Sequence, residues 1–215
     1  MPIGVICYNP TAIMPEGLTN NEFKEYLLQE MPKAVDEIVI TPAETLVIAR
    51  ADKITDLLHF LKTDQNCNFE QLTAVTASDW PADQNRFEVV YCLLSLKFNR
   101  RIIVKIRTNE ETPVRSAVLI YKSAGWYERE VWDMYGVKFA GHPDLRRILT
   151  DYGFEGHPLR KDFPLTGYYE VRYDAEQKKV VYEEVDMNQE FRTFDYLSPW
   201  EGAKYVLPGD EKANS

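Results

Sequence analysis

The 215-residue sequence has few of the residues that metal clusters, nucleotide sites and nucleophilic enzymes require. Its three cysteines, Cys7, Cys67 and Cys92, form no Cys-x-x-Cys pair, and an iron–sulfur cluster needs about four thiolates. We interpret them as thiols in a reducing compartment. Glycine-rich phosphate loops and the Gly-x-Ser-x-Gly elbow of hydrolases are missing. Neither a nucleotide site nor a serine nucleophile is therefore predicted, and no catalytic set is expected from Ser78, Asp79 and His59.

Positive charge and long apolar runs are also scarce. The 25 basic residues are outnumbered by 34 acidic ones, giving a net charge of −9, which argues against nucleic acid as the main partner. No apolar run approaches the roughly 20 residues of a membrane-spanning helix. The first ten residues lack the charged region of a secretory signal, and the first arginine is Arg50. We therefore expect neither a targeting segment nor a transmembrane segment.

The pattern of apolar residues up to residue 125 predicts alternating helices and strands. A capping box, Thr19-x-x-Glu22, opens the first helix, and Asp52 is predicted to cap the second. Strands are predicted at 38–40 and 46–48. Three more are predicted at 72–76, 87–96 and 102–107, with Asn99 turning the last pair. A further helix is predicted over 112–123.

Strand 87–96 is apolar at both odd and even positions, so we predict that it is the central strand, with Val90 and Leu94 fully buried. The element order is typical of an α+β fold: a two-layer domain with a mixed β-sheet and helices on one face. We expect three segments. Residues 1–125 form the core of helix, two strands, helix, three strands and helix. Residues 126–164 form a helix and a charged Gly/Pro loop, and 165–215 form a hairpin and an extended tail.

Segment 126–164 combines charges, aromatics, glycines and prolines more densely than any other part of the sequence. An apolar stripe at helical spacing (Tyr127, Val131, Met134 and Tyr135) predicts an amphipathic helix. Arg129 and Asp133 are four residues apart and are predicted to pair, and Gly136 is predicted to end the helix. The following prolines and glycines exclude regular structure, so this loop needs a surface on which its backbone groups find partners.

Two interpretations of the polar residues in this segment remain open. Carboxylates and imidazoles are suitable metal ligands or acid–base groups, but no metalloenzyme spacing is present. The alternative is a network of salt bridges, since arginine forks suit paired sites at an interface. The metal or acid–base set would comprise Glu128, Glu130, Asp133, His142, Asp144 and His157. The salt-bridge network would join Glu128, Glu130, Asp133, Asp144 and Asp162 with Arg129, Arg146, Arg147, Arg160 and Lys161.

After residue 164 the sequence predicts a hairpin and then an aromatic tail. Strands are predicted at 168–173 and 180–184 around a turn at 174–177. From Met187 onward aromatic residues alternate with charges, a pattern that cannot build its own core. Phe191, Phe194 and Trp200 are therefore predicted to dock on a partner, because Phe, Tyr and Trp are enriched at interfaces. A tail that folds back on its own domain is the alternative.

Three linked motifs in this sequence resemble one family. They are Glu128-Arg129-Glu130-x-x-Asp133-x-x-Gly136, then His142-Pro143-Asp144-Leu145-Arg146-Arg147-Ile148-Leu149, then Gly156-x-Pro158-Leu159-Arg160-Lys161-Asp162-x-Pro164. The family is that of the thirty-kilodalton (NuoC-type) peripheral-arm subunits of respiratory complex I. The resemblance extends over residues 70–207, and the tail favours the proteobacterial and mitochondrial branch.

The resemblance implies a non-catalytic structural subunit of a proton-pumping NADH:quinone oxidoreductase. Family members carry no redox centre, so FMN and iron–sulfur clusters are expected on partner subunits. The expected partners are the hydrogenase-like quinone-site subunit and the subunits with the terminal clusters, and the motif residues would belong to that interface. The expected location is peripheral on the inner membrane, on the cytoplasmic side in bacteria or the matrix side in mitochondria.

Two alternatives are compatible with the same residues. One is the equivalent subunit of a related membrane hydrogenase or dehydrogenase complex. The other, from a different class, is a free-standing metal-dependent hydrolase. If the loop docks on a partner, Arg146, Arg147, Arg160 and Lys161 should be exposed to water in the isolated subunit.

Overall fold

The computed structural model describes residues 17–42, 44–187 and 189. The chain divides into two compact units, Met1–Gly167 and Tyr168–Ser215. The predicted helix of segment 126–164 and its charged loop belong to the first unit, together with the sheet. Among the described residues, no helix is both long enough and apolar enough to cross a membrane.

The first unit is built on a five-stranded mixed sheet in the order β1-β2-β5-β4-β3. Its strands are β1 Val35–Ile40, β2 Thr45–Ala49, β3 Gln71–Asp79, β4 Phe87–Ser95 and β5 Arg100–Thr108. Strands β2 and β5 pair in parallel, and the other neighbours pair antiparallel. The hairpin between β4 and β5 turns through Asn99, whose φ of 46° lies in the left-handed region. The predicted mixed sheet and this turn are confirmed.

Three helices, α1 Asn20–Glu30, α2 Ile54–Thr63 and α3 Ala124–Tyr135, share one apolar core with the sheet. The predicted capping box opens α1, where the Thr19 hydroxyl accepts from the Glu22 amide and the Glu22 carboxylate accepts from the Thr19 amide. Asp52 does not cap α2. It lies in a short 3-10 turn, Ala51–Lys53, and pairs with Arg50, because this turn separates it from the first α-helical residue.

The position of β4 differs from the prediction. β5 is the middle strand, and β4 lies between it and the edge strand β3. Along β4 burial alternates, so that Val89, Tyr91 and Leu93 are buried while Val90 and Leu94 are only half-buried. Because the helices cover a single face of the sheet, alternate apolar residues point to its other side. The predicted full burial of Val90 and Leu94 is wrong.

The predicted helix over 112–123 is also wrong. This segment contains strand β6, Val114–Arg115, which pairs in parallel with β7, Phe139–Ala140. The Val114 amide donates to the Lys138 carbonyl at 2.9 Å, and turns follow β6 until α3 begins. Tertiary pairing with the chain beyond α3 therefore overrides the local helical pattern.

In the second unit the predicted hairpin is confirmed. Strands β8, Tyr169–Asp174, and β9, Lys179–Glu184, pair antiparallel. The Asp174 carboxylate accepts from the amides of Glu176 and Gln177 at 2.8 and 3.1 Å, and this fixes the turn.

Candidate functional site

The carboxylate of Asp133, near the end of α3, organises the charged loop. Its side chain is fully buried. One oxygen accepts three backbone amides, from Ile148, Leu149 and Thr150, at 2.8–3.0 Å. The other accepts from the Thr150 hydroxyl at 2.6 Å and from Arg147 at 2.8 Å. The loop after α3 thus folds around an anion of its own chain.

These bonds also set the protonation of Asp133. Burial acts to raise its pKa, but the hydrogen bonds from Thr150, Arg147 and the backbone amides outweigh burial. The pKa of Asp133 therefore lies well below its usual range, because each of these donors favours the charged form. The group is a carboxylate at neutral pH.

Two arginines hold the loop backbone from either side. Arg129 donates to the carbonyls of Arg146 and Arg147 at 3.1 and 2.8 Å. Arg147 donates in turn to the carbonyls of Phe154 and Gly156 at 2.9 and 3.0 Å. The predicted Arg129–Asp133 pair is not formed. Arg147 pairs with Asp133 instead. The loop provides this guanidinium together with the Thr150 hydroxyl and three backbone amides, and these hydrogen bonds stabilise the carboxylate more than one pair with a helical neighbour would.

The C-terminal end of α3 is closed by two further side chains. His157 Nδ1 lies 2.9 Å from the Asp133 carbonyl, and Arg160 donates to the Tyr135 carbonyl at 2.6 Å. Gly136 ends the helix as predicted, with φ of 82°, and a Cβ there would collide with Arg160 and His157. Burial lowers the pKa of His157, with a smaller contribution from the charges of Arg160 and Arg147, whereas its hydrogen bond to the Asp133 carbonyl opposes the shift. Both side chains therefore serve the helix terminus.

A second buried carboxylate, Glu128, fixes the segment before α3. It is fully buried and accepts from the Ser116 hydroxyl at 2.6 Å and from the Ala117 amide at 2.7 Å. Burial raises its pKa, although these two hydrogen bonds oppose the shift. Within the described residues it makes no ion pair, so its predicted place in the salt-bridge network is wrong.

His142 links α3 to the start of the loop. Its Nδ1 accepts the Asp144 amide at 3.0 Å, so in the neutral ring the hydrogen lies on Nε2 and is donated to the Gly125 carbonyl at 3.0 Å. Asp144 pairs with Arg146 at 2.9 Å on the surface. In the part of the chain that the structure describes, no three His, Cys, Asp or Glu side chains are grouped to hold a metal ion.

A further ion-pair centre connects the loop to the sheet, and of its ion-paired members only Asp162 was predicted from the sequence to form a salt bridge. Arg86 holds the buried Asp79 with two bonds of 2.5 and 2.7 Å and also binds Asp162 at 2.9 Å. Asp79 accepts the Lys161 amide as well, at 2.7 Å. Arg86 is the main reason why the pKa of Asp79 is lowered. The bonds that join this centre to the loop span 76 and 82 residues of sequence, so no local spacing could have revealed them.

The remaining motif residues lie in or beside this loop. Arg160 pairs with Glu110 at 3.2 Å, and Glu130 is exposed on α3. Arg147 and Arg160 have side chains only 14% and 17% exposed, so the expectation that they face water in the isolated chain is wrong. The loop finds its surface on α3 of its own unit. Pro143, Gly156, Pro158 and Pro164 lie within it.

The hairpin of the second unit has one mainly charged face and one mainly apolar face, although Glu184 lies opposite Tyr169 on the apolar face. Its cross-strand pairs Val171↔Tyr182 and Tyr173↔Val180 lie on the same face as Tyr169. Each of these five side chains is more than half exposed. The opposite face has the Arg172–Glu183 ion pair, at 2.7 Å. The predicted docking residues of the tail, Phe191, Phe194 and Trp200, lie outside the described residues.

Comparison with known proteins identifies relatives along most of the chain. A family model described as "Respiratory-chain NADH dehydrogenase, 30 Kd subunit" matches residues 47–169. An NADH-quinone oxidoreductase subunit of Parvibaculum lavamentivorans is 58% identical over 200 residues, which is 93% of this chain and 99% of that protein. The corresponding oxidoreductase subunit of Hyphomonas neptunium is 60% identical over 183 residues, or 85% of this chain and 91% of that protein.

A solved structure is also similar. It is described as the membrane-bound sulfane sulfur reductase, an archaeal respiratory membrane complex. The matched chain of that complex is 31% identical, with a TM-score of 0.58. The match covers 67% of this chain and 85% of that chain.

Proposed function

The chain belongs to the family of the 30 Kd subunit of respiratory-chain NADH dehydrogenase, and we propose that it is a structural subunit of the peripheral arm of a proton-pumping NADH:quinone oxidoreductase. In this role it binds neighbouring subunits and fixes their relative positions. The enzyme transfers electrons from NADH through FMN and iron–sulfur clusters to a quinone. These groups are held by the neighbouring subunits.

The apolar face of the β8–β9 hairpin is the observation that carries this proposal. An isolated two-stranded hairpin has marginal stability in water. Tyr169, Val171 and Tyr173 of β8 are 68%, 55% and 63% exposed, and Val180 and Tyr182 of β9 are 55% and 64% exposed. Exposed apolar clusters of this kind mark interaction sites. Such a face is expected of a protein that works inside an assembly.

The hydrogen bonds and ion pairs of the charged side chains support a structural role, in which no reaction is catalysed on this chain. Asp133 and Glu128 bind backbone amides, and His157 binds a carbonyl at the helix end. Arg147 and Arg160 are bound to carbonyls and carboxylates of the same unit. We propose that none of them meets a substrate, and that the chain binds no FMN, NADH or cluster.

The proposed partners are the hydrogenase-like subunit that contributes the quinone site and the subunits with the terminal iron–sulfur clusters. Through them the chain would be peripheral to the inner membrane, on its cytoplasmic or matrix side. An equivalent place in another respiratory membrane complex is a second candidate, favoured by the likeness to the sulfane sulfur reductase complex. Relatives at 58–60% identity favour the NADH-linked enzyme.

The test is purification of the affinity-tagged chain from host membranes in a mild detergent. Co-purification with the other subunits of NADH-quinone oxidoreductase supports the proposal. Co-purification with a hydrogenase or sulfur reductase supports the second candidate. Recovery of the chain alone, without other subunits, refutes both.

A hairpin variant separates scaffolding from catalysis. Tyr173→Ser removes a large side chain from the apolar face, whereas Lys179→Ser removes one from the charged face and serves as the control. Truncation of an interface aromatic commonly lowers affinity tenfold or more. Tyr173→Ser should therefore reduce assembled complex and NADH–quinone activity in equal proportion. Full assembly with lost turnover would contradict the structural role.

A further inference from the structure

An open groove lies in the first unit, between the sheet and the charged loop. Its volume is about 460 Å³. It is bounded by the end of β3 and the turn after it, by the last residue of α3, and by the loop around residue 160. The lining residues are Ser78, Asp79, Trp80, Pro81, Tyr135, Leu159 and Lys161.

Hydrogen bonds hold both walls of the groove in place. On the sheet side, the Trp80 amide donates to the Arg86 carbonyl at 2.8 Å, and the Trp80 indole donates to the Ser78 hydroxyl at 3.0 Å. On the loop side, Leu159 donates to the Met134 carbonyl at 3.1 Å. The Lys161 amide donates to the buried Asp79 and joins the two walls. Because the walls of the groove are already fixed, they lose little conformational entropy when a ligand binds, and this favours affinity.

The groove offers apolar surface to a ligand. Trp80 and Leu159 are each 50% exposed, whereas most other large apolar side chains of the first unit's sheet and α2 are buried. Tyr135, at the end of α3, is half-buried and also lines the groove. Tryptophan is the residue type most enriched among interface hot spots, together with Tyr and Arg. An apolar side chain is therefore the group that this groove fits.

The charges around the groove are paired, with one exception. Asp79 is bound by Arg86 with two bonds and by the Lys161 amide, and Arg86 also pairs with Asp162 and Glu110. The Arg107 guanidinium lies 5.5 Å from the Trp80 ring, and it is already paired with Asp83. Lys161 is exposed, and its ammonium makes no ion pair with any described residue. One unpaired cation thus lies beside an apolar groove.

We infer that this groove binds a segment of a partner subunit in which a large apolar side chain is adjacent to an aspartate or glutamate. The apolar side chain occupies the space between Trp80 and Leu159, and the carboxylate pairs with Lys161. The inference rests on the proposed function, since it requires that the chain is assembled with other subunits. It adds a second interface to that of the hairpin, on the other unit of the chain.

The site of contact is tested by photocrosslinking in the assembled complex. A benzoyl-phenylalanine is introduced at position 80 or 161, and at Leu119 as the control, because that side chain is 97% exposed and lies outside the groove. Crosslinks from positions 80 and 161, but not 119, to an apolar–acidic segment of another subunit support the inference. Crosslinks to this chain's own tail, to lipid, or to a basic segment overturn it.

The charge pairing is tested by competition. Tagged Lys161→Glu and the untagged wild-type chain are expressed together, and their ratio in the purified complex is measured by mass spectrometry. Lys122→Glu, at an exposed position outside the groove, is the matched control. We expect incorporation of Lys161→Glu to fall about tenfold below that of Lys122→Glu, as for a reversed interface charge. Equal incorporation overturns the inference.

Thermal unfolding and a variant of the partner distinguish a lost contact from a folding defect. The Lys161 bond to Asp79 uses the backbone amide, so Lys161→Glu keeps it, and thermal unfolding of the two variants should agree. Reversal of the crosslinked partner carboxylate to lysine should restore incorporation of Lys161→Glu. Failure of that rescue refutes the pairing. If the chain enters the complex normally but crosslinks elsewhere, only the groove inference fails, whereas a chain that never co-purifies contradicts the proposed function.

Discussion

Replacement of Asp133 by asparagine gives the sharpest test of how the charged loop is held. The substitution preserves size but removes the charge and converts one acceptor oxygen into a donor. If the amide oxygen keeps the three backbone amides of residues 148–150, the new NH₂ group faces Arg147 and the Thr150 hydroxyl. The hydroxyl can rotate and accept instead, but a guanidinium has no acceptor. Arg147 therefore loses its only carboxylate among the described residues.

The expected loss follows from burial. The Asp133 side chain is fully buried and that of Arg147 is 14% exposed, so water cannot replace the lost partner. Breaking such a pair from one side costs about 3–5 kcal/mol. For a chain of this length each kcal/mol shifts the melting temperature by about 2–4 °C, so we expect a fall of about 6–20 °C.

Thermal and urea unfolding of the purified chain measure the effect, with Asp144→Asn as the control. Asp144 belongs to the same loop, but its pair with Arg146 has side chains 57% and 55% exposed. Exposed pairs contribute little to stability, so the control should melt close to the wild type. Equal melting temperatures for both variants would refute the view that Asp133 organises the loop.

The pH dependence gives an independent check of the same prediction. The pKa of Asp133 is lowered on folding, so its contribution is complete above the ordinary aspartate pKa of about 4. That contribution is lost as the pH falls further towards the folded pKa. The difference in unfolding free energy between wild type and Asp133→Asn should therefore be constant from pH 5 to 8 and shrink below about pH 4. A difference that persists at low pH would point to packing.

Three other variants test the remaining buried groups. Burial raises the pKa of Glu128 on folding, so the stabilisation that comes from its bound proton is lost as the pH rises above about 4. The free energy of unfolding of Glu128→Gln, measured at increasing pH, should therefore rise relative to that of the wild type until Glu128 is ionised in the folded state. Gly136→Ala should lower the unfolding free energy at least about twofold more than Gly141→Ala. Both have φ near 81°, which costs about 1–2 kcal/mol for alanine, but only the first brings a Cβ against Arg160. Arg86→Lys loses the two-bond grip on its buried aspartate and should cost about 1.5–3 kcal/mol in urea unfolding, and a smaller change than about 0.5 kcal/mol would contradict that geometry.

Local signals in the sequence were sufficient for several elements. The capping box at Thr19 and the glycine stop at Gly136 depend on neighbouring residues only, and both are present in the structure. The stripe of α3 and the β8–β9 hairpin depend on short periods within one segment. The family could be recognised from residues 126–164 because its motifs are contiguous. What these features share is that their physical cause lies within a few residues of chain.

Only the tertiary structure decided which partners the charged residues take. Asp133 was expected to bind a helical neighbour, but the loop fourteen to seventeen residues further on supplies Arg147, Thr150 and three amides, and their sum outweighs one surface pair. Segment 112–123 joins β7 because a backbone ladder to residues beyond α3 satisfies amides that a short helix would leave open. Burial also depends on the whole fold. Because helices cover one face of the sheet, Val89 is buried and Val90 is only half-buried, although both are valines. Long-range pairing and one-sided coverage are properties of the folded chain, so no local pattern contains them.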